Sequence, residues 1–131
     1  MYSLSKPLLL IAICALAVCP LAFGQGPGGD ASGPYGPARA LIAQVQGDLD
    51  HAQQFAAVAG KQRERYDTAH RHLAQFDDAL SHGGFDGGKL DQAIGDVNAV
   101  FKNNVLSPKS RDDLRDDLDR LRAMRTARGR I

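Results

Sequence analysis

One apolar stripe constrains this chain more than any other feature. From Phe55 the positions 55, 59, 62, 66, 69, 73, 76 and 80 advance by alternating steps of four and three, and only Gln62 among them is polar. That spacing keeps side chains on one face of an α-helix. Ile42, Val45, Leu49, Ala52, Phe55/Ala56 and Ala59 carry the same pattern upstream. No segment alternates with period two, so no β-sheet is expected.

Gly60 is the one candidate interruption. A glycine inside a helix costs about 1 kcal/mol relative to alanine. No Pro, Ser, Asp or Asn lies between 52 and 66 to cap a new start, and the stripe runs through Gly60 in phase. The pattern therefore predicts one helix over about 38–80, bent at Gly60, with a break into two helices as the alternative. Such a helix would span about 65 Å.

The next boundaries are written in capping residues. Gly83, after Ser81-His82, is placed to end the long helix in the left-handed conformation. Asp86 is the expected N-cap of a second helix, about 87–104, with Phe85 and Leu90 at the spacing of a hydrophobic staple. Its buried face is Leu90, Ala93/Ile94, Val97, Val100/Phe101 and Val105, and Asn103-Asn104 ends it. Ser107 caps a third helix, about 107–128, with Pro108 in its first turn. Leu114, Leu118, Leu121 and Met124/Arg125 form its stripe, and Gly129 closes it. The expected fold is all-α: a small antiparallel helical bundle, coiled-coil-like, in which the long helix packs against the two shorter ones.

The amino terminus reads as an address. Leu8 to Val18 is uninterrupted and apolar, with Lys6 before it and Pro20 after it. The run suits a secretory signal and is shorter than the ~20 residues of a membrane span. Ala22-Phe23-Gly24 places small residues for cleavage after Gly24, or after Ala22. Residues 25–37 then form a Gly/Pro-rich leader, expected to be flexible, with Tyr35 a solvated tail residue, and 38–131 a single helical domain. The mature chain would hold no cysteine, since Cys14 and Cys19 both lie in the signal, so an exported product would have no disulfide. Leu16-Ala17-Val18-Cys19 resembles a bacterial lipobox, which implies lipidation at Cys19; Val18 departs from the small residue of that pattern.

Charge narrows the function classes. Lys+Arg number 16 and Asp+Glu 15, which argues against a dedicated nucleic-acid binder. No Gly-x-Ser-x-Gly, His-Glu-x-x-His, Gly-rich phosphate loop or Cys-x-x-Cys-His is present. Neither a catalytic set nor a cofactor is therefore expected. His70 and His72 point about 200° apart on a helix and cannot share a metal. His70, Asp78 and His82 are the metal candidates, since Asp78 and His82 stand four residues apart. Asp86 to Asp91 lacks the alternating oxygen ligands of a calcium loop.

The third helix is divided by charge. Asp112, Asp113, Asp116, Asp117 and Asp119 fill its first half; Arg120, Arg122, Arg125, Arg128 and Arg130 fill its second. This order matches the helix macrodipole, and the bland reading is a solvated face. The functional reading is that the arginines contact an anionic surface such as lipid headgroups, polysaccharide or a partner's acidic patch. Leu106-Ser107-Pro108-Lys109-Ser110-Arg111 resembles the Leu-Thr/Ser-Pro-x-Gln-Arg helix starts of small periplasmic stress chaperones and metal-sensing relatives, with Ser110 in place of Gln. Six residues of mostly generic capping do not make a family assignment.

The expectation is a non-catalytic, exported helical module, periplasmic or extracellular, that binds a protein partner or an envelope component. A homodimer through an apolar stripe is a further expectation, and the membrane enters only through the signal segment or a lipid at Cys19. The alternative is a small extracytoplasmic metal- or stress-sensing, chaperone-like protein.

Overall fold

The structure is a computed structural model and describes residues 33–56 and 59–131. The expected signal segment and cleavage sites, Cys19 and most of the expected leader lie outside the described residues. The described part holds four α-helices and no strand: α1 (Gly36–Gln54), α2 (Lys61–Ser81), α3 (Gly87–Asn103) and α4 (Pro108–Ala127). None of them is long and apolar enough to cross a membrane.

The long helix over 38–80 does not form. The chain leaves helical geometry after Gln54 and re-enters at Lys61. Gly60 sits between them at φ 56 and ψ −127, a conformation that side-chain-bearing residues rarely adopt. Phe55, expected on the stripe, is 69% exposed, and Ala59 is exposed as well. The stripe keeps its phase on either side, with Leu49 and Ala52 buried before the break and Tyr66, Ala69 and Leu73 after it. Folding back is what gives the stripe a partner. A continuous rod would carry its two halves along one line, whereas a hairpin lets both halves enter one core.

Each helix packs on two neighbours in the cyclic order α1, α2, α3, α4, so α4 closes the ring against α1. Side-chain pairs fix the directions. Arg39 near the start of α1 pairs with Asp77 near the end of α2, and Arg65 early in α2 reaches Asn104 just past α3. Asp91 early in α3 pairs with Arg125 late in α4. All neighbours are antiparallel. The core combines Leu41, Ile42, Val45 and Leu49 of α1, Leu73, Phe76 and Leu80 of α2, Leu90, Val97 and Val100 of α3, and Leu114, Leu121 and Met124 of α4.

The helix ends follow the capping residues. Asp86 accepts from the Gly88 and Lys89 amides at 3.0 and 3.1 Å, and the Ser107 hydroxyl accepts from the Ser110 amide at 3.1 Å ahead of α4. Gly83, at φ 81, ends α2: its amide donates to Leu80 O and that of Gly84 to Ala79 O, both at 3.0 Å. This pair of bonds is a Schellman motif. Val105, expected on the α3 face, lies in the following loop and is 69% exposed. Asn104 is buried there, donating to Gln62 O at 3.1 Å and accepting from Arg65 at 3.0 Å.

Candidate functional site

The carboxyl end of α4 repeats the turn at the end of α2 with a different residue. The Gly129 amide donates to Met124 O at 3.0 Å and the Arg128 amide to Arg125 O at 3.4 Å. The left-handed residue here is Arg128, at φ 51 and ψ 47, where α2 uses Gly83. A β-carbon in that conformation costs roughly 1–2 kcal/mol. Gly129, expected as the terminator, follows at φ 79 for a second reason. A β-carbon on it would come within 2.9 Å of the Tyr35 ring and 3.0 Å of the Phe85 ring. Close approach of the backbone to two aromatic rings is what glycine allows here.

That approach builds a cleft. Tyr35 is half-buried against the core, not a solvated tail residue, and its ring lies 6.4 Å from that of Phe85. Phe85 in turn meets Phe76 edge-on at 5.6 Å. Pro34, Tyr35, Phe85, Gly87, Arg125, Arg128 and Arg130 line an open cleft of about 820 Å³ at this end of the bundle. Its walls come from the start of α1, the start of α3 and the end of α4, so it exists only because α4 closes against α1.

The three arginines have different freedom. Arg125 makes a double hydrogen bond to Asp91, at 2.8 and 3.0 Å. Those bonds, and the attraction between the two charges, hold the Asp91 carboxyl below its ordinary range. The guanidinium rests on α3, since a β-carbon at Gly87 would lie 2.9 Å from its central carbon. Arg128 and Arg130 have no side-chain partner among the described residues. The cleft thus presents two uncommitted guanidinium groups and one fixed one beside two aromatic rings. Guanidinium forks suit planar, multidentate anions such as carboxylates and phosphates.

The other two expected arginines stay outside. Arg120 donates to Gln44 at 2.8 Å across the α1–α4 seam, and Arg122 pairs with Asp119 at 3.2 Å on the surface. Five arginines read as one surface therefore divide into a cleft of three and two that are engaged elsewhere.

The histidines are separated. His70 faces α1, with Nε2 3.1 Å from Asp50 Oδ1 but not aligned as a hydrogen bond. His72 faces α3 and is held through Nδ1 by Asp96. His82 Nδ1 lies 3.6 Å from an Asp78 carboxylate oxygen at the exposed end of α2. His70 does not join Asp78 and His82. No group of three or more His, Cys, Asp or Glu side chains able to hold a metal occurs among the described residues.

The sequence reading missed Asp117, treated as part of a solvated charge face; it is 1% exposed. The signal was available, because Asp117 stands three residues after Leu114 and four before Leu121, on the inner face of α4. Tyr35 and Phe85 gave no comparable signal, since only the closure of the bundle end brings them together. Compared with protein-family models, curated proteins and solved structures, the chain matches none.

Proposed function

We propose that this protein is a non-catalytic binding module, working after export, whose arginine cleft grips an anionic group on a partner protein or an envelope component. The observation that carries the reading is Arg128. The chain accepts a left-handed arginine where glycine would satisfy the same turn, and that arginine lines the cleft with Arg125 and Arg130. Strained backbone of this kind is found at ligand-binding positions more often than elsewhere. The aromatic rings of Tyr35 and Phe85 supply the apolar wall that a recognition cleft combines with a few polar groups. Export is supported by the amino-terminal pattern of Lys6, the Leu8–Val18 run and the small residues before Gln25. The non-catalytic reading is supported by the lack of a catalytic motif in the sequence.

Titration with inorganic pyrophosphate and with vesicles of anionic or neutral lipid tests the reading. Binding to the anionic probes should weaken steeply between low and physiological salt. The double substitution Arg128→Ala and Arg130→Ala should lower affinity about tenfold or more, while Arg122→Ala leaves it unchanged. Affinity that ignores salt, or that survives the double substitution, would overturn the assignment.

A further inference from the structure

The seam between α1 and α4 buries an acid that the cleft does not use. Asp117 Oδ1 accepts from Gln44 Nε2 at 3.3 Å, and its Oδ2 is buried with no hydrogen-bond partner. Leu114, Leu118 and Leu121 on the same helix are buried around it. From α1 it faces Asp48 and Gln44; on α4 itself its charged neighbours are Asp113 and Arg120. Helix α3, the other neighbour of α4, brings no charged group to bear on it. Neither nearby cation bonds to Asp117: Arg120 donates to Gln44 Oε1 at 2.8 Å, and Lys109 donates to Asp113 at 2.6 Å while its charge also favours ionised Asp48.

A buried acid facing a second, half-buried one cannot ionise cheaply alongside it. Burial, then the charge of Asp48 and the hydrogen bond that a protonated Asp117 can make to it, push the Asp117 carboxyl up to about 7, against the pull of Arg120. The acids do not converge on a metal among the described residues. A proton is the ion that fits between them.

We propose that Asp117 and Asp48 share a proton across the α1–α4 seam, and that losing it loosens α1 from α4. In the protonated state the Asp117 hydroxyl donates to the Asp48 carboxylate, so the orphaned oxygen gains a partner. In the ionised state two carboxylates meet beside apolar side chains, and hydrating them requires the helices to part. The cleft sits at the end of this seam, because Tyr35 leads into α1 while Arg125, Arg128 and Arg130 lie at the end of α4. The seam itself does not depend on the binding assignment; its consequence for anion affinity rests on that assignment.

Hydrogen exchange on the whole protein at about pH 5.5 and about pH 8.5, corrected for intrinsic exchange, tests the seam. Protection of the α1 and α4 amides should fall about tenfold or more at the higher pH, and Asp117→Asn should abolish that response. Histidines also change charge in this range, so Asp96→Asn, which frees His72 on the α2–α3 seam, is the control and should leave the response in place. Flat protection in the unaltered protein, or an undiminished response in Asp117→Asn, would overturn the proposal. A carboxyl carbon NMR titration of Asp117 gives a readout independent of stability: a midpoint near neutrality supports the shared proton, and one in the ordinary carboxylate range overturns it. Pyrophosphate affinity measured in the same two buffers separates the two ideas. An exchange response with unchanged affinity upholds the seam and breaks its link to the cleft; a missing exchange response defeats the seam whatever the affinity does.

Discussion

The α2–α3 and α1–α4 seams join helices of similar length but bury different chemistry. The polar groups of the α2–α3 seam are neutral or stay at its rim. Asn104 is buried with both ends of its amide bonded, and the His72–Asp96 pair remains about a quarter exposed. Its orphan is the Tyr66 hydroxyl, a neutral group whose ionisation burial pushes to higher pH, with Asn104 pulling the other way. The α1–α4 seam instead buries an acid, with one oxygen orphaned and a second acid opposite. An unpartnered neutral group costs roughly 1–3 kcal/mol and cannot be relieved by titration in the physiological range. An unpartnered carboxylate costs more and is relieved by a proton. The fully buried polar groups of one seam thus keep their charge across the neutral range, and the buried acid of the other does not.

The largest expected effect tests the α2–α3 seam. Leu73→Ala removes a fully buried side chain from α2 and should cost about 3–5 kcal/mol. Urea unfolding should show the same loss at pH 5.5 and at pH 8.5, and a loss that differs strongly between them would blur the distinction between the seams. Next comes the pH dependence of the unaltered protein. The folded state holds the Asp117 proton more tightly than the unfolded chain, whose value is near the ordinary 3.8. Its contribution is therefore fully present below about pH 4 and is lost as pH rises through about 7, by up to about 4 kcal/mol. The Asp91 carboxyl works in the opposite direction at the acid end, since its depressed pKa withdraws stability as pH falls through its folded-state value. Unfolding midpoints across this range, with and without Asp48→Asn, measure the balance; Asp48→Asn should flatten the neutral limb.

A smaller effect concerns the turn that makes both seams possible. Gly60→Ala meets no steric obstacle, since nothing lies within 4 Å of a β-carbon there. Its cost is conformational, about 1–2 kcal/mol of lost stability. The sign discriminates between architectures, because in an unbroken helix the same substitution would stabilise by about 1 kcal/mol. The smallest effect lies at the end of the α1–α4 seam. Arg128→Gly relieves the left-handed arginine and should raise stability by about 1 kcal/mol, while weakening pyrophosphate binding. Calorimetry and titration of the same variant would show the two properties moving apart; a variant that loses stability would mean that Arg128 is held for packing.

Much of the fold was legible, and the reason is range. The N-caps Asp86 and Ser107, Pro108 at the start of α4 and Gly83 at the end of α2 act within a few residues of themselves, so spacing reveals them. The stripes of α3 and α4 were equally plain. Periodicity failed at Gly60 because it reports the face a residue occupies and not whether the helix is continuous. The apolar run through 55 and 59 stays in phase although those residues sit in a turn.

The sequence by itself determined an all-α chain, the helix ends from Gly83 onward and the charge division along α4. Only the tertiary structure decided that the first helical region is a hairpin, that Asp117 is buried in the α1–α4 seam beside Gln44, and that three of five arginines gather beside Tyr35 and Phe85. The physical reason is that these features are contacts between helices distant in sequence. Gln44 and Asp117 are 73 residues apart, and Tyr35 meets Gly129 only when α4 closes the ring. A carboxylate's cost and an arginine's freedom depend on what lies opposite, and the chain sets that only once it has folded.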